Sequence, residues 1–207
     1  MEKIKVLLWD FDGVIIDSNH AREYGFIEVL KGFPKGQIED LINFHRKNGG
    51  LSRYVKFRHF FEVIRNEPLS DTDLQMLCDQ FSEIVKSLLK DSSLLIPSTT
   101  SFIKSNYGKF KMHIVSGSDG NELVEICDYL GLSSYFLSIH GSPRPKIKLV
   151  EDLLKQNKYF NEECLLIGDS INDWEAASIN NISFMGFNGS SDVMDKTNVV
   201  IDFIRNC

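Results

Sequence analysis

Two aspartates separated by one residue follow an apolar run near the start of the chain. The run, residues 4–9, contains a single lysine among aliphatic and aromatic side chains, and Asp10 and Asp12 come next. Such a run is typical of a strand that helices cover on both faces. Two carboxylates at its carboxyl end repel each other unless a cation or a shared proton compensates. The sequence therefore predicts an α/β fold with a polar site at the edge of its sheet.

Three further segments complement this arrangement. One is a second apolar run that leads into two more aspartates, and another is a strand-like run that ends in hydroxyls and glycines. The last puts three cations on a proline-containing turn before an amphipathic stretch. Single aspartates after strands are also common as loop and helix-cap residues, but four such segments in one chain favour a shared site. The four segments are residues 9–18, 113–120, 141–148 and 165–173.

In spacing and order these segments resemble the haloacid dehalogenase superfamily, specifically its helical-cap subfamily of phosphoglycolate phosphatases and β-phosphoglucomutase-like enzymes. The resemblance spans most of the chain. It implies a Rossmann-like, doubly wound, mostly parallel sheet with helices on both faces and an inserted α-helical cap domain. We expect residues 1–17 and 96–207 to form the α/β core and residues 18–95 to form the cap.

The resemblance also implies a role for each acidic residue. Asp10 is expected to be the nucleophile that forms an aspartyl-phosphate, and Asp12 to act as general acid and then general base. Repulsion from Asp10 should raise the pKa of Asp12, and repulsion from the substrate's phosphate should add to the effect, so that Asp12 holds a proton at first. Mg²⁺ suits clustered carboxylates, and its expected ligands are Asp10, the backbone carbonyl of Asp12, and Asp169. Asp173 is expected either to coordinate the ion directly or to hold a metal-bound water.

Phosphate binding is assigned to a smaller polar set by the same resemblance. Ser116 is expected to donate its hydroxyl to a phosphate oxygen, with backbone N–H groups near Gly13 and Gly117 completing the anion site. Lys146 is expected to neutralise phosphate charge and to hold the nucleophile. Lys148 lies two residues away in the same basic segment, so the sequence leaves the register of this lysine open.

About ninety residues between the first acidic loop and Met112 show the apolar spacing of helices, with no alternating strand pattern. Breaks rich in proline and glycine divide them into about four helices, which are expected to close over the site. The basic loop at residues 45–56 is a candidate for substrate recognition, and a solvated helix–loop–helix corner is its alternative. The candidate specificity residues are His20, Arg46, Asn48, Arg53 and Lys56.

Net charge, hydropathy and cysteine content limit the kinds of partner and metal site that the chain can have. The net charge of −6 gives no long-range attraction for nucleic acid or an anionic membrane. No apolar stretch reaches membrane-spanning length and no secretory signal precedes the first strand, so a cytoplasmic protein is expected. The four cysteines lack Cys-x-x-Cys spacing, which disfavours a zinc site and indicates free thiols. A monomer and a homodimer are equally compatible with the sequence.

The expected function is a Mg²⁺-dependent phosphatase for a small phosphorylated metabolite, such as a sugar phosphate or a phosphoglycolate-like acid. A phosphomutase of the β-phosphoglucomutase type is the alternative, because its core residues are the same. A non-catalytic phospho-ligand-binding protein is a third hypothesis. A phospho-accepting receiver domain is disfavoured, since receivers carry the accepting aspartate in the middle of the chain.

Overall fold

A parallel five-stranded sheet forms the centre of the computed structural model, which describes residues 4–200. The strand order is β3-β2-β1-β4-β5, so the first strand of the chain lies in the middle. This arrangement confirms the predicted α/β class with a parallel sheet. The strands are β1 Val6–Trp9, β2 Lys111–Asp119, β3 Ser138–Ser142, β4 Cys164–Gly168 and β5 Ser183–Gly186.

The register of the central strands brings the predicted motifs to one edge. Trp9 at the end of β1 pairs with Ile114 of β2 and with Ile167 of β4. β1 and β4 therefore end at about the same level, whereas β2 continues to Asp119, and the residues that follow Trp9 and Ile167 meet at the carboxyl edge of the sheet. Such an edge is where open α/β sheets bind their ligands.

Helices cover both faces of the sheet because the buried strands are apolar on both sides. Leu7 and Trp9 of β1 belong to one hydrophobic cluster, whereas Val6 and Leu8 belong to another on the opposite face. The first cluster includes residues of α5 and α6, and the second includes residues of α7, α8 and α9. These helices are α5 Pro97–Asn106, α6 Gly120–Tyr129, α7 Lys146–Asn157, α8 Ile171–Ile179 and α9 Ser191–Met194.

The chain between β1 and α5 is helical, and we call residues 18–95 the helical insert. Its phenylalanines form its core: the ring of Phe26 lies 4.5 Å from that of Phe81 and 5.3 Å from that of Phe57. Helical spacing in the sequence thus accounts for these aromatics by packing. The exact domain boundaries stay a prediction. The helices of the insert are α1 Asn19–Val29, α2 Lys35–Lys47, α3 Arg53–Arg58, a π-helical turn His59–Ile64, and α4 Asp71–Leu89.

The loop between α2 and α3 places the helical insert directly over the carboxyl edge of the sheet. A Cβ atom added to Gly117 would lie 2.3 Å from the carbonyl oxygen of Gly50, and one added to Gly50 would lie 2.6 Å from Ser170 Oγ. No side chain fits at either position without displacing the loop. The backbone of the insert therefore contacts the ends of β2 and β4.

The structure also bears on the expectations about membrane spans and cysteines. Within residues 4–200, none of the helices has the length and apolar character needed to cross a membrane. Cys78, Cys127 and Cys164 are buried free thiols, as the sequence indicates, and Cys207 lies outside the described residues.

Candidate active site

A buried lysine links the two acidic motifs. Asp10 leaves β1 with only 3% of its surface exposed, and Lys146 Nζ lies 2.8 Å from its Oδ1 atom. The same ammonium pairs with Asp173, which is fully buried. Lys148 instead forms an exposed ion pair with Glu151 at 2.7 Å. The structure therefore brings Lys146, and not Lys148, to the acidic motifs.

Asp173 is held by the start of its own helix. The backbone N–H of Ser170 donates to Asp173 Oδ2 at 3.0 Å, and the hydroxyl of Ser170 donates to the same oxygen at 2.6 Å. This capping box satisfies the first turn of α8 and fixes the carboxylate. Since Lys146 occupies the other carboxylate oxygen, Asp173 orients the lysine toward Asp10.

Three carboxylates converge in a geometry that suits a cation. Oxygen atoms of Asp10, Asp169 and Asp173 lie within 4.8 Å of one another. Burial, together with repulsion from Asp173, raises the pKa of Asp10 to about 7. Burial and the charge of Asp10 raise the pKa of Asp169 to about 9. A divalent cation removes this repulsion, and carboxylate oxygens are the ligands that Mg²⁺ prefers, so the residues present fit the expected ion.

Asp12 has a different environment from the one that the sequence suggested. Its carboxylate accepts hydrogen bonds from the hydroxyls of Ser18 and Ser118 and from Arg22 Nε at 3.0 Å. Although burial opposes ionisation, the Arg22 charge and these donors hold the pKa of Asp12 well below its usual range. The expectation that repulsion from Asp10 raises the pKa of Asp12 was wrong, because it ignored Arg22.

Arg22 belongs to a buried ion network between the helical insert and the core. Its guanidinium donates to Glu122 of α6 at 2.5 Å and to Ser118 Oγ at 2.8 Å. Arg53 of α3 lies 2.7 Å from the same Glu122 carboxylate. Sequence analysis missed Arg22, Glu122 and Ser118. Arg22 lies four residues after Ser18, one helical turn along α1, which was a weak signal, whereas nothing local distinguished Glu122.

Ser116 and Gly117 lie at the end of the buried part of β2. Ser116 is 1% exposed, and its Oγ accepts a hydrogen bond from the backbone N–H of Ser118 at 3.1 Å. This bond leaves the Ser116 hydroxyl proton available to an anion. Gly13 stands across the site with a φ of +75°, and a Cβ there would lie 1.9 Å from Asp169 Oδ2.

A cavity of about 40 Å³ lies where these residues meet the insert. It holds only a few water molecules, because one water needs roughly 10–15 Å³ by this measure. The cations that line it, Arg22, Arg53 and Lys56, all come from the insert, and so does His45. The lining residues that carry chemistry are Asp10, Asp12, Arg22, His45, Arg53, Lys56, Ser116, Gly117 and Asp169.

The structure separates the specificity candidates into two groups. Arg53 and Lys56 line the cavity, but His20, Arg46 and Asn48 do not. His20 is exposed in a separate surface depression, and Arg46 pairs with Glu23 at 2.7 Å at the rim of an outer groove. Asn48 Nδ2 donates to a backbone carbonyl one turn earlier in α2, at 3.0 Å. Local contacts at the rim and at the end of α2 therefore account for Arg46 and Asn48.

Comparison with known proteins identifies the family. The model of the haloacid dehalogenase-like hydrolases matches residues 7–187, which include every motif described above. The chain belongs to this family. As a haloacid dehalogenase-like hydrolase, it is an enzyme. The matched residues contain all four segments on which the resemblance rests.

Individual relatives of this hydrolase are distant. A phosphoglycolate phosphatase of Colwellia psychrerythraea strain 34H is 23% identical over 192 residues, covering 90% of this chain and 85% of that protein. The crystal structure of β-phosphoglucomutase from Clostridium difficile superposes with a TM-score of 0.75 at 19% identity, covering 96% and 91% of the two chains. CbbY from Rhodobacter sphaeroides, solved in complex with phosphate, gives 0.74 at 14% identity, covering 96% and 94%. These structural matches establish the fold.

Proposed function

We propose that this hydrolase is a Mg²⁺-dependent phosphatase that acts on a small phosphorylated metabolite, a sugar phosphate or a phosphoglycolate-like acid, through an aspartyl-phosphate on Asp10. The observation that carries the proposal is the buried contact of Asp10 with Lys146, beside Asp12 and Asp169 in one cavity. The position of the helical insert over the carboxyl edge of the sheet supports a small substrate, because the insert hinders a folded phosphoprotein from reaching Asp10.

Asp10, Asp169 and the backbone carbonyl of Asp12 would hold Mg²⁺, with Asp173 beside them. Bound Mg²⁺ supplies positive charge that offsets the repulsion between the Asp10 carboxylate and a phosphate dianion. Asp173 has both carboxylate oxygens engaged by Ser170 and Lys146, so it contributes charge and orientation even without direct coordination.

The residues of this chain would then divide the reaction between them. The Asp10 carboxylate attacks phosphorus, and the departing alkoxide takes a proton from Asp12. Water subsequently cleaves the acyl phosphate while Asp12 takes a proton from that water. Because Arg22 keeps Asp12 ionised in this arrangement, the negative charge of the arriving phosphate must raise the pKa of Asp12 for the first step. Lys146 and Ser116 stabilise the charge on the transferred group.

A phosphomutase is the second candidate function, and the close approach of Gly50 to Gly117 is the observation that supports it. That contact lays the insert backbone against the site, an arrangement able to exclude water while a phosphorylated intermediate reorients. Isomerisation of a sugar phosphate without net phosphate release would support the mutase over the phosphatase.

The first test is phosphate release from a panel of phosphorylated metabolites, with Mg²⁺ or with a chelator. We expect Mg²⁺-dependent release by the wild type and loss of at least about 10³-fold in Asp10→Asn, which removes the nucleophile but preserves its shape. Asp17→Asn is the matched control, since Asp17 is exposed nearby in the sequence and should leave turnover unchanged. Substantial turnover by folded Asp10→Asn contradicts the covalent mechanism.

Leaving-group dependence tests the role of Asp12. We expect Asp12→Asn to slow hydrolysis of a sugar phosphate by about 10²–10⁴-fold, because its alkoxide needs a proton. An activated aryl phosphate should lose far less, since its leaving group departs unprotonated. The comparison is made by kcat on the two esters with the same enzyme preparation. Equal losses on both esters exclude an acid role for Asp12.

A further inference from the structure

The helical insert presents several cations to the cavity, and most of them already have acidic partners. Arg22 pairs with Asp12 and Glu122, and Arg53 pairs with Glu122. Lys146, from the core, pairs with Asp10 and Asp173. These contacts neutralise the three cations in place, so none of them needs a ligand to be stable where it lies.

Lys56 differs from the other cations of the cavity. Its side chain is buried, with the residue 3% exposed, and Nζ donates to the carbonyl oxygen of Gly49 at 3.0 Å. Among residues 4–200, no carboxylate forms an ion pair with it. An ammonium has three N–H donors, so this contact leaves two of them without a protein acceptor. Burying such a group is costly unless an anion compensates it.

His45 is a second incompletely satisfied group on the same cavity wall. The residue is 7% exposed, and among the described residues its buried Nδ1 atom has no hydrogen-bond partner. Burial lowers the pKa of His45 to about 3, so the imidazole is neutral at physiological pH and contributes hydrogen bonding rather than charge. A lysine and a neutral histidine therefore line the cavity with unused polar atoms.

Lys56 lies beside the acidic residues of the proposed active site, and this position indicates which kind of anion it binds. Asp10, Asp12 and Asp169 line the same cavity as Lys56. Burial lowers the pKa of Lys56 to about 7, and an anion bound beside it would favour its protonated form. These three acids are the ones that surround an incoming phosphate ester. The loop that carries Gly49 and Gly50 holds Lys56 on the insert side of this space, opposite the core.

We propose that Lys56, with His45 beside it, binds an anionic oxygen of the substrate, so that the helical insert supplies the cation that completes the substrate site. The inference rests on the proposed phosphatase function and adds a specificity-determining residue to it. Two sources carry the required chemistry: the transferred phosphoryl group itself, and a second anionic group such as a carboxylate on the same small molecule.

The test uses ligands that cannot be turned over, so that it does not depend on catalysis. Calorimetry in the presence of Mg²⁺ measures the Kd of inorganic phosphate, propylphosphonate and its carboxylate-bearing counterpart phosphonopropionate. Lys56→Met removes the charge and retains the length of the side chain. Arg46→Gln is the matched control, because it removes one cation from the exposed rim of the insert.

We expect Lys56→Met to weaken binding by about ten-fold or more, the effect of losing a charge-assisted hydrogen bond. Loss with all three probes identifies the phosphoryl group as the partner, and loss with phosphonopropionate alone identifies the second anion. A purely structural lysine predicts a lower urea midpoint in Lys56→Met, whereas we expect the midpoint to be unchanged or higher because an uncompensated buried charge is removed.

Binding of all three probes within two-fold of wild type in folded Lys56→Met overturns the inference, and so does an equal loss in Arg46→Gln. Failure of the proposed function is distinguishable from this result. If Lys56→Met weakens probe binding but the wild type hydrolyses no ester, the phosphatase proposal fails and the anion site stands.

Discussion

At Gly13, both the backbone conformation and the neighbouring Asp169 carboxylate require a residue without a side chain. Its φ is +75°, and a Cβ would lie 1.9 Å from Asp169 Oδ2. We expect Gly13→Ala to displace the Asp169 carboxylate and to weaken Mg²⁺ binding by about 10–100-fold, as other changes around metal ligands do. The measurement is the Mg²⁺ concentration that gives half-maximal activity.

Gly131→Ala separates this displacement from backbone strain. Gly131 has a similar φ of +67°, but no atom lies within 4 Å of an added Cβ. Gly131→Ala should lose about 1–2 kcal/mol of unfolding free energy, the usual cost of a left-handed conformation for a residue with a Cβ, and Gly13→Ala should lose more because its Cβ also displaces Asp169. Only Gly13→Ala should need more Mg²⁺. An unchanged Mg²⁺ requirement in Gly13→Ala contradicts the proposed role of Asp169 in metal binding.

Helix α6 carries the acid that joins the insert to the core. Glu122 is 3% exposed and forms ion pairs with Arg22 and Arg53, both from the insert. We expect Glu122→Gln to lower the unfolding free energy by about 3–5 kcal/mol, because it leaves two buried guanidinium groups with too little negative charge. Urea denaturation measures the change.

Two further variants test whether the loss of stability comes from the buried ion pairs of Glu122. Glu125→Gln lies on the same helix and removes exposed ion pairs with Lys90 and Lys86, so it should lower the unfolding free energy far less than Glu122→Gln does. Adding Arg53→Gln to Glu122→Gln should recover part of the lost stability by removing one uncompensated charge. A double variant as unstable as the sum of the singles shows that Glu122 and Arg53 do not interact.

The elements also show how far the sequence predicts this molecule. The strand before Asp10 and the strand before Asp169 were predictable, because unbroken apolar runs ending in acids are local patterns. The contact between Arg22 and Glu122 joins residues 100 positions apart, and no local pattern records it. The charge of Arg22 and the hydrogen bond from Ser118, which lies 106 positions from Asp12, hold the pKa of Asp12 below its usual range. The pKa of Asp12 therefore follows from tertiary packing, which no local pattern predicts.

At the scale of the whole molecule, the acidic cluster couples folding to pH and to Mg²⁺. The pKa of Asp10 is about 7 and that of Asp169 about 9, both above the value of 3.8 for an unperturbed aspartate. Between pH 4 and these values the folded protein retains protons that the unfolded chain releases. The contribution of these two carboxyls to the unfolding free energy is therefore greatest at low pH and declines as pH rises through this window.

Mg²⁺ should reverse that decline, because it binds the ionised carboxylates and competes with their protons. We expect the rise in Tm between chelator and Mg²⁺ to be small at pH 5 and about 5–10 °C at pH 8, for Mg²⁺ at a hundred times its Kd. Burial lowers the pKa of His45 to about 3, so His45 is neutral in the folded protein at both pH values, and its effect is the same with chelator as with Mg²⁺. Asp169→Asn should abolish the Mg²⁺-dependent rise, whereas the exposed-site control Asp195→Asn should retain it. A rise of equal size at both pH values shows that Mg²⁺ stabilises the fold at groups other than these carboxylates.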